Sequence, residues 1–468
     1  MSDELSWMSA ADMVRGFEKG DFTPVEAAEA VYARIDAVDG TLNCFRELDQ
    51  ERALKAAGES AARWKAGEPL SPIDGVPTSI KDLFDMKDMA SRKGSKTTEP
   101  APLDHDAPAV ARLRAAGAVL TGKTNTPEFG WKGITDSPLT GITRNPWNTD
   151  TTPGGSSGGA SAACAAGMGP LHLGSDGGGS IRIPAAFAGI FGHKPHFGRV
   201  PYYPPSPMGT LSHGGPMTRT VSDALSMLNV MMGEDATDWT TIRSEPIQGR
   251  AIAGGVKGMK IAYSPDLGYA KVDPEVAASV RAAAETLADL GAEIVETDPG
   301  MGDPVDIFNL HWWSGAHGAF RNFSDAQKAD LEPGLLDILI QAEKIPLGDY
   351  MDATRERALY GSAMKQFMTG YDALLTPALA VPAFEVGRLV PEGWDENSTN
   401  GWIAWTPFSY PFNLTQQPAC SIPCGFTEGG LPVGLQIVGR MFDDVSVLRI
   451  ALAFEEANPV ATSRRPGL

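Results

Sequence analysis

The sequence predicts an α/β protein folded as a single large domain, with a central β-sheet carrying α-helices on its faces. Two observations support this. Short apolar runs alternate with amphipathic helical runs from Gly75 to Ile134, and again from about residue 258 to Glu296, the rhythm of strands crossing over through helices. No internal repeat or disordered linker divides the chain, so one compact domain with insertions is more economical than two. Its 468 residues, 42% hydrophobic and 21% charged, suffice for a sizeable core.

The elements follow in order. Residues 1–68 read as helical. Thr23-Pro24-Val25-Glu26 is a capping box with proline at the first helical position. It opens a run with Ala28, Tyr32, Ile35 and Val38 on one face, which Gly40 is expected to close. A second amphipathic run, Asp49 to Lys65, ends at Gly67. Gly75 to Asp82 is a short apolar strand ending in Lys81. Ala107 to Ala116 reads as a helix, Ala118 to Leu120 as a strand, and Lys123 to Trp131 as a loop. Gly215 to Asp223 opens a further helix. Beyond it come a strand at Lys260–Tyr263 and a helix begun by Asp273-Pro274, with Val276, Val280, Leu287 and Leu290 on one face. A strand at Glu293–Glu296 follows, and residues 303–370 are mainly helical. Leu374 to Val381 and Ser421 to Phe426 read as buried strands. Pro432 to Gly439 pairs with the latter across the Glu428-Gly429-Gly430 turn.

A formal charge of −19 argues against nucleic acid or an anionic membrane as partner, since both reward clustered Lys and Arg. The cysteines Cys44, Cys164, Cys420 and Cys424 are too sparse for a disulfide framework. Cys420 and Cys424 lack the further ligands a metal site needs, so free buried thiols and no metal are expected. The N-terminus shows no signal peptide, and no apolar run is long enough to span a bilayer. A cytoplasmic protein is expected.

The chemistry concentrates in Leu173-Gly174-Ser175-Asp176-Gly177-Gly178-Gly179-Ser180-Ile181-Arg182-Ile183-Pro184. Three consecutive glycines allow a sharp turn and close approach by another molecule. Their N–H groups can converge on a developing negative charge beside the Ser180 hydroxyl, the layout acyl transfer needs. A loop-only reading of one such block stands beside this one. Lys81 reads as a surface charge or, if desolvated, as an amine whose pKa falls far enough for it to act as a base. Pro153 to Ser161 is glycine-rich but lacks the Gly-Lys-Ser/Thr ending of a phosphate loop and the G-x-G-x-x-G spacing, so no nucleotide cofactor is expected.

Taken together, five blocks in register resemble the amidase signature family. They are Gly75-Val76-Pro77-Thr78-Ser79-Ile80-Lys81-Asp82, Gly122-Lys123-Thr124-Asn125, Asn145-Pro146-Trp147-Asn148, Pro153-Gly154-Gly155-Ser156-Ser157-Gly158-Gly159 and Gly174 to Arg182. Asn413 to Pro418 and Pro432-Val433-Gly434-Leu435-Gln436 resemble its C-terminal blocks. The resemblance implies a mixed sheet covered by helices on both faces. A helical segment over 1–68, a signature core over 70–225 and an α/β part over 226–468 that shapes the substrate pocket make up the one domain.

It also implies a triad, with Ser180 as nucleophile, Ser156 as bridging serine behind a cis Gly155–Ser156 peptide, and Lys81 as base. Gly177, Gly178, Gly179 and Ser180 supply the oxyanion-hole N–H groups. Ser175, Asp176 and Arg182 support the loop, Ser175 as a hydrogen-bonding neighbour and the charged pair as a brace. Gly130 and Trp131 match a loop lining the acyl pocket in relatives. Trp312, Trp313, Trp402, Trp405 and Phe408 are read either as pocket aromatics or as core. None of the seven histidines is placed to serve as base; His193 and His196 read as structural.

The implied activity is hydrolysis of linear amides, apolar or aryl acylamides foremost, with esters and carbamates (urethanes) presenting a carbonyl of the same shape. The partners expected are small-molecule substrates, with the chain a monomer or homodimer. Two alternatives stay open. One is an amidotransferase A-type subunit passing ammonia from glutamine to partner subunits. Such relatives carry glutamine where this chain has Ile183. The other is a non-catalytic binding protein.

Overall fold

The computed structural model describes residues 2–395, 401–459 and 464–468. Among them, eleven strands form one sheet: β1 (Phe45–Leu48), β2 (Pro77–Lys81), β3 (Val119–Thr124), β6 (Leu171–Asp176), β7 (Phe191–Lys194), β8 (His213–Thr218), β9 (Lys260–Tyr263), β10 (Glu293–Glu296), β11 (Ala373–Pro377), β12 (Ala419–Phe426) and β13 (Pro432–Gly439). The short strands β4 (Asp136–Ser137) and β5 (Gly141–Ile142) pair separately. The sheet runs β1-β3-β2-β6-β8-β7-β12-β13-β11-β9-β10 and is mixed. β2 is parallel to both β3 and β6, β9 is parallel to β11 and β10, and the strands between are antiparallel.

Period-two alternation explains how the sheet serves two layers. Along β13, Val433, Leu435 and Ile437 enter a large apolar cluster with the helices Val221–Met231, Pro274–Asp289 and Asp444–Ala457. Between them, Gly434 lies against Ala186 of the helix Arg182–Ala188, and Gln436 accepts a hydrogen bond from Arg182 at 2.7 Å. One face is thus packing and the other carries polar machinery. No helix among the described residues is long and apolar enough to cross a membrane. All four cysteines are buried and free.

The segment over 1–68 departs from expectation twice: Phe45–Leu48 between its helices is not helical but pairs with β3 as strand β1, and one helix end lies elsewhere than read. The Thr23 box caps Pro24–Leu42 as predicted, but Gly40 lies inside that helix, and Asn43 ends it at φ 55°. Asn43 donates to the carbonyls of Thr140 and Ile142, and those contacts hold the left-handed cap that glycine was expected to supply. Leu290 likewise belongs to no buried face. It is 38% exposed, because the helix has already ended at Asp289.

Candidate active site

Strands β2 and β6 run parallel, so their C-terminal ends lie side by side. Lys81 closes β2, while Ser175 and Asp176 close β6. The segment from Gly154 to Ser157 leads into the helix Gly158–Ala165. These elements bring Lys81 and Ser156 together, with the Lys81 Nζ 2.7 Å from Ser156 Oγ, 2.9 Å from Ser157 Oγ and 3.0 Å from Ser175 Oγ. The Gly155–Ser156 peptide is cis, as the resemblance implies. Ser157 had drawn no role from the sequence, yet its hydroxyl also donates to the Ser175 carbonyl at 3.1 Å.

Lys81 is fully buried and has no carboxylate within ion-pair distance among the described residues. Burial pushes its pKa well below that of an ordinary lysine, and the more distant Asp176 only partly opposes the shift.

Ser180 is 4% exposed and lies with Ser156 and Ser175 in the wall of one cavity of about 340 Å³. The Ser157 N–H donates to the Ser180 carbonyl at 3.2 Å, which ties the two serine-bearing segments together. In the glycine turn before Ser180, the Gly179 N–H is directed to Asp176 Oδ1 at 2.8 Å. Those of Gly177, Gly178 and Ser180 donate to no acceptor among the described residues. Gly179 needs to be glycine on two counts. Its φ is +126°, and a Cβ would stand 2.5 Å from Ser409 Oγ.

Asp176 and Arg182 sit behind this turn, outside the cavity wall. Arg182 grips the carboxylate with Nε and Nη2, both at 3.0 Å, and donates to Gln436, Asn413 and the Ser409 carbonyl. Asn413 Nδ2 returns a bond to Asp176 Oδ1 at 2.8 Å, and Ser409 Oγ donates to the Gly178 carbonyl at 2.6 Å. Burial alone would raise the Asp176 pKa, but the guanidinium, Lys194 and Asn413 hold it well below the usual carboxylate range.

Arg182→Met should therefore cost about 3–5 kcal/mol, since it leaves a buried carboxylate without its cation. Because the folded-state pKa is depressed, the pair's contribution is complete above about pH 4 and fades as pH falls through the folded value. Urea unfolding of both proteins at neutral and acid pH reads this directly, and an unchanged midpoint would contradict it.

Gly130 lines the cavity. Its φ is +72°, and a Cβ there would meet Leu83 at 2.8 Å and Ser156 Oγ at 3.2 Å. Trp131 does not line it. Its indole donates to Glu332 at 2.8 Å and packs over Gly334, while Phe129, at φ +51°, lines the cavity. Of the other aromatics, Trp312 lines the cavity, whereas Trp402, Trp405 and Phe408 are buried core and Trp313 packs against it. The sequence reading missed Phe129, Tyr202, Phe320 and Phe323 in the wall. His193 and His196 both turn to Asp444, His193 Nε2 at 2.9 Å. Among the described residues no cluster of His, Cys, Asp or Glu is placed to hold a metal.

A family model described as Amidase matches residues 26–448. An acylamidase of Rhodococcus erythropolis is 38% identical, with 98% of this chain and 97% of the relative covered. The A-type subunit of a glutamyl-tRNA(Gln) amidotransferase from Chloroflexus aurantiacus is 34% identical, with 98% of this chain and 99% of the relative covered. The crystal structure of a bacterial aryl acylamidase of the amidase signature enzymes superposes with a TM-score of 0.90 at 30% identity, covering 98% of this chain and 99% of the other.

Proposed function

This chain belongs to the amidase family and hydrolyses amide C–N bonds; from that premise we propose that it cleaves linear acylamides with apolar or aryl groups through an acyl-enzyme on Ser180. The observation that carries the reading is the Lys81 amine, buried and surrounded by three hydroxyls without a carboxylate.

Burial favours the neutral form, and the hydrogen bonds around the amine can accommodate it. A neutral amine has two N–H donors and one lone pair. The Ser157 hydroxyl spends its proton on the Ser175 carbonyl, so its oxygen takes a bond from Lys81. With a second N–H given to Ser175, the lone pair is left for the proton of Ser156. Lys81 then draws that proton, Ser156 draws the one on Ser180, and Ser180 Oγ bonds to the carbonyl carbon. The N–H groups of Gly177, Gly178 and Ser180, with Gly179 held by Asp176, stabilise the oxyanion. As the C–N bond breaks, the proton returns from Lys81 through Ser156 to the leaving amine. Water releases the acid by the same route. Esters and carbamates present the same carbonyl and pass through the same steps.

Phe129, Trp312, Phe320, Phe323, Leu83 and Met208 in the wall favour apolar or aryl groups. A second reading, as one subunit of an amidotransferase, draws on the 34% identical relative. Against it, Ile183 is fully buried in an apolar cluster with Phe187 and Trp405. The purified chain alone, as monomer or homodimer, should release 4-nitroaniline from 4-nitroacetanilide. Glutaminase activity that appears only with added partner subunits, and no anilide turnover, would instead establish the second reading.

A further inference from the structure

Lys93 is the single charged side chain among the residues lining the cavity beside Ser180, and no Asp or Glu lines it. The other polar groups of the wall are serine hydroxyls and Tyr202, whose phenol burial pushes up to about 12 and keeps neutral. Lys93 is half-buried and makes no ion pair among the described residues.

Its place at the wall is fixed. Its φ is +50°, a left-handed conformation that a side-chain-bearing residue seldom adopts. Its carbonyl accepts the N–H of Phe129 at 2.7 Å, and Phe129 is itself at φ +51° and lines the same cavity. On the next residue, Gly94, a Cβ would stand 2.5 Å from the Thr126 carbonyl oxygen, and Ser95 Oγ donates to the buried Glu128 at 2.6 Å. Two non-glycine residues in this conformation, joined to each other and both at one cavity, form a backbone that neighbouring contacts must enforce, as functional sites do. A half-exposed lysine is commonly just a solvated charge. Here its apolar surroundings lower the screening between the amine and whatever enters the cavity. Lys81 is fully buried and does not itself line the cavity, so Lys93 gives the wall its positive charge within a protein of net charge −19.

We propose that Lys93 is a specificity residue that selects amides carrying a carboxylate, or a similarly compact anion, at a distance from the scissile bond along an otherwise apolar or aryl skeleton. The inference rests on the reading that this cavity is where substrate binds.

The test compares isosteric pairs. For a carboxylate on the amine side, 4-acetamidobenzoate is set against 4-nitroacetanilide, whose planar nitro group matches it in shape without charge. For one on the acyl side, succinanilate is set against 4-methylpentananilide. The readout is the ratio of kcat/KM, charged over neutral, so leaving-group chemistry cancels between enzymes. In at least one pair, Lys93→Met should lower the ratio about tenfold, mainly through KM, and Lys93→Arg should restore most of it. Ratios unchanged by Lys93→Met in both pairs overturn the proposal while leaving the amidase reading intact. Failure of the wild type to turn over any of the four overturns both.

Discussion

Ser180→Ala is expected to lose turnover of every acylamide by on the order of 10⁴-fold or more, because no other hydroxyl can take its place at the carbonyl carbon. The fold should be untouched. The substitution removes one oxygen that faces the cavity, while the main-chain bond from Ser157 to the Ser180 carbonyl remains, as does the Asp176 support of the turn. Unfolding midpoints of the two proteins should therefore coincide. A covalent test is sharper than a rate. Wild-type chain quenched in acid during turnover of a slowly deacylating ester should carry the acyl mass, and Ser180→Ala should not. Wild-type rates in the variant, or an adduct that survives the substitution, would move the nucleophile elsewhere.

How much of this was legible in the sequence depended on where the information resides. Capped helices were readable because Thr23 and Asp273 cap through their own side chains, a signal local to a few residues. The pairing of β12 with β13 was readable because one turn fixes the register. Strand β8 was not, and Gly215 was read instead as the start of a helix. His213-Gly214-Gly215-Pro216 has almost no strand propensity. It lies in the sheet because β6 and β7 flank it on both sides, and a Cβ on Gly215 would stand 2.2 Å from the His193 carbonyl oxygen. Tertiary crowding selected those glycines. The order of eleven strands was equally hidden, since it follows from crossovers that no local pattern records.

The site divides the same way. Lys81, Ser156 and Ser180 stand in short blocks dense enough to be picked out, and Lys81 with Ser156 is brought within hydrogen-bond distance. Ser409, Asn413 and Gln436 brace the turn from more than 200 residues away, as the sequence separations of their bonds attest. Asn413 and Gln436 lay inside recognisable C-terminal blocks, yet nothing nearby says which guanidinium they face. The pocket aromatics were least legible. Tryptophan and phenylalanine are equally at home in a core, and Trp131 is drawn off by Glu332, 201 residues away, while Phe129 meets the cavity.

Lys81→Met should separate the two duties of the lysine. Methionine fills much the same volume without an amine, so the relay loses both the base that activates Ser180 and the acid that serves the leaving group. Amide turnover is expected to fall about 10²–10⁴-fold, the range general acid–base groups supply. An activated ester such as a 4-nitrophenyl ester needs no returned proton and should lose at least tenfold less. Equal losses would remove the acid role. The pH dependence gives an independent sign. Burial holds the Lys81 pKa well below 10.5, so wild-type kcat/KM should rise as pH increases through that lowered value, and Lys81→Met should lack this limb. The same shift acts on stability in a known direction. Below about pH 10 an unfolded lysine holds a proton that buried Lys81 has released. Lowering the pH toward the folded-state pKa therefore costs the wild type stability relative to Lys81→Met. A wild type that instead gains stability relative to Lys81→Met as the pH is lowered over that range would mean that the amine is charged in its pocket, and a charged amine has no lone pair to offer Ser156.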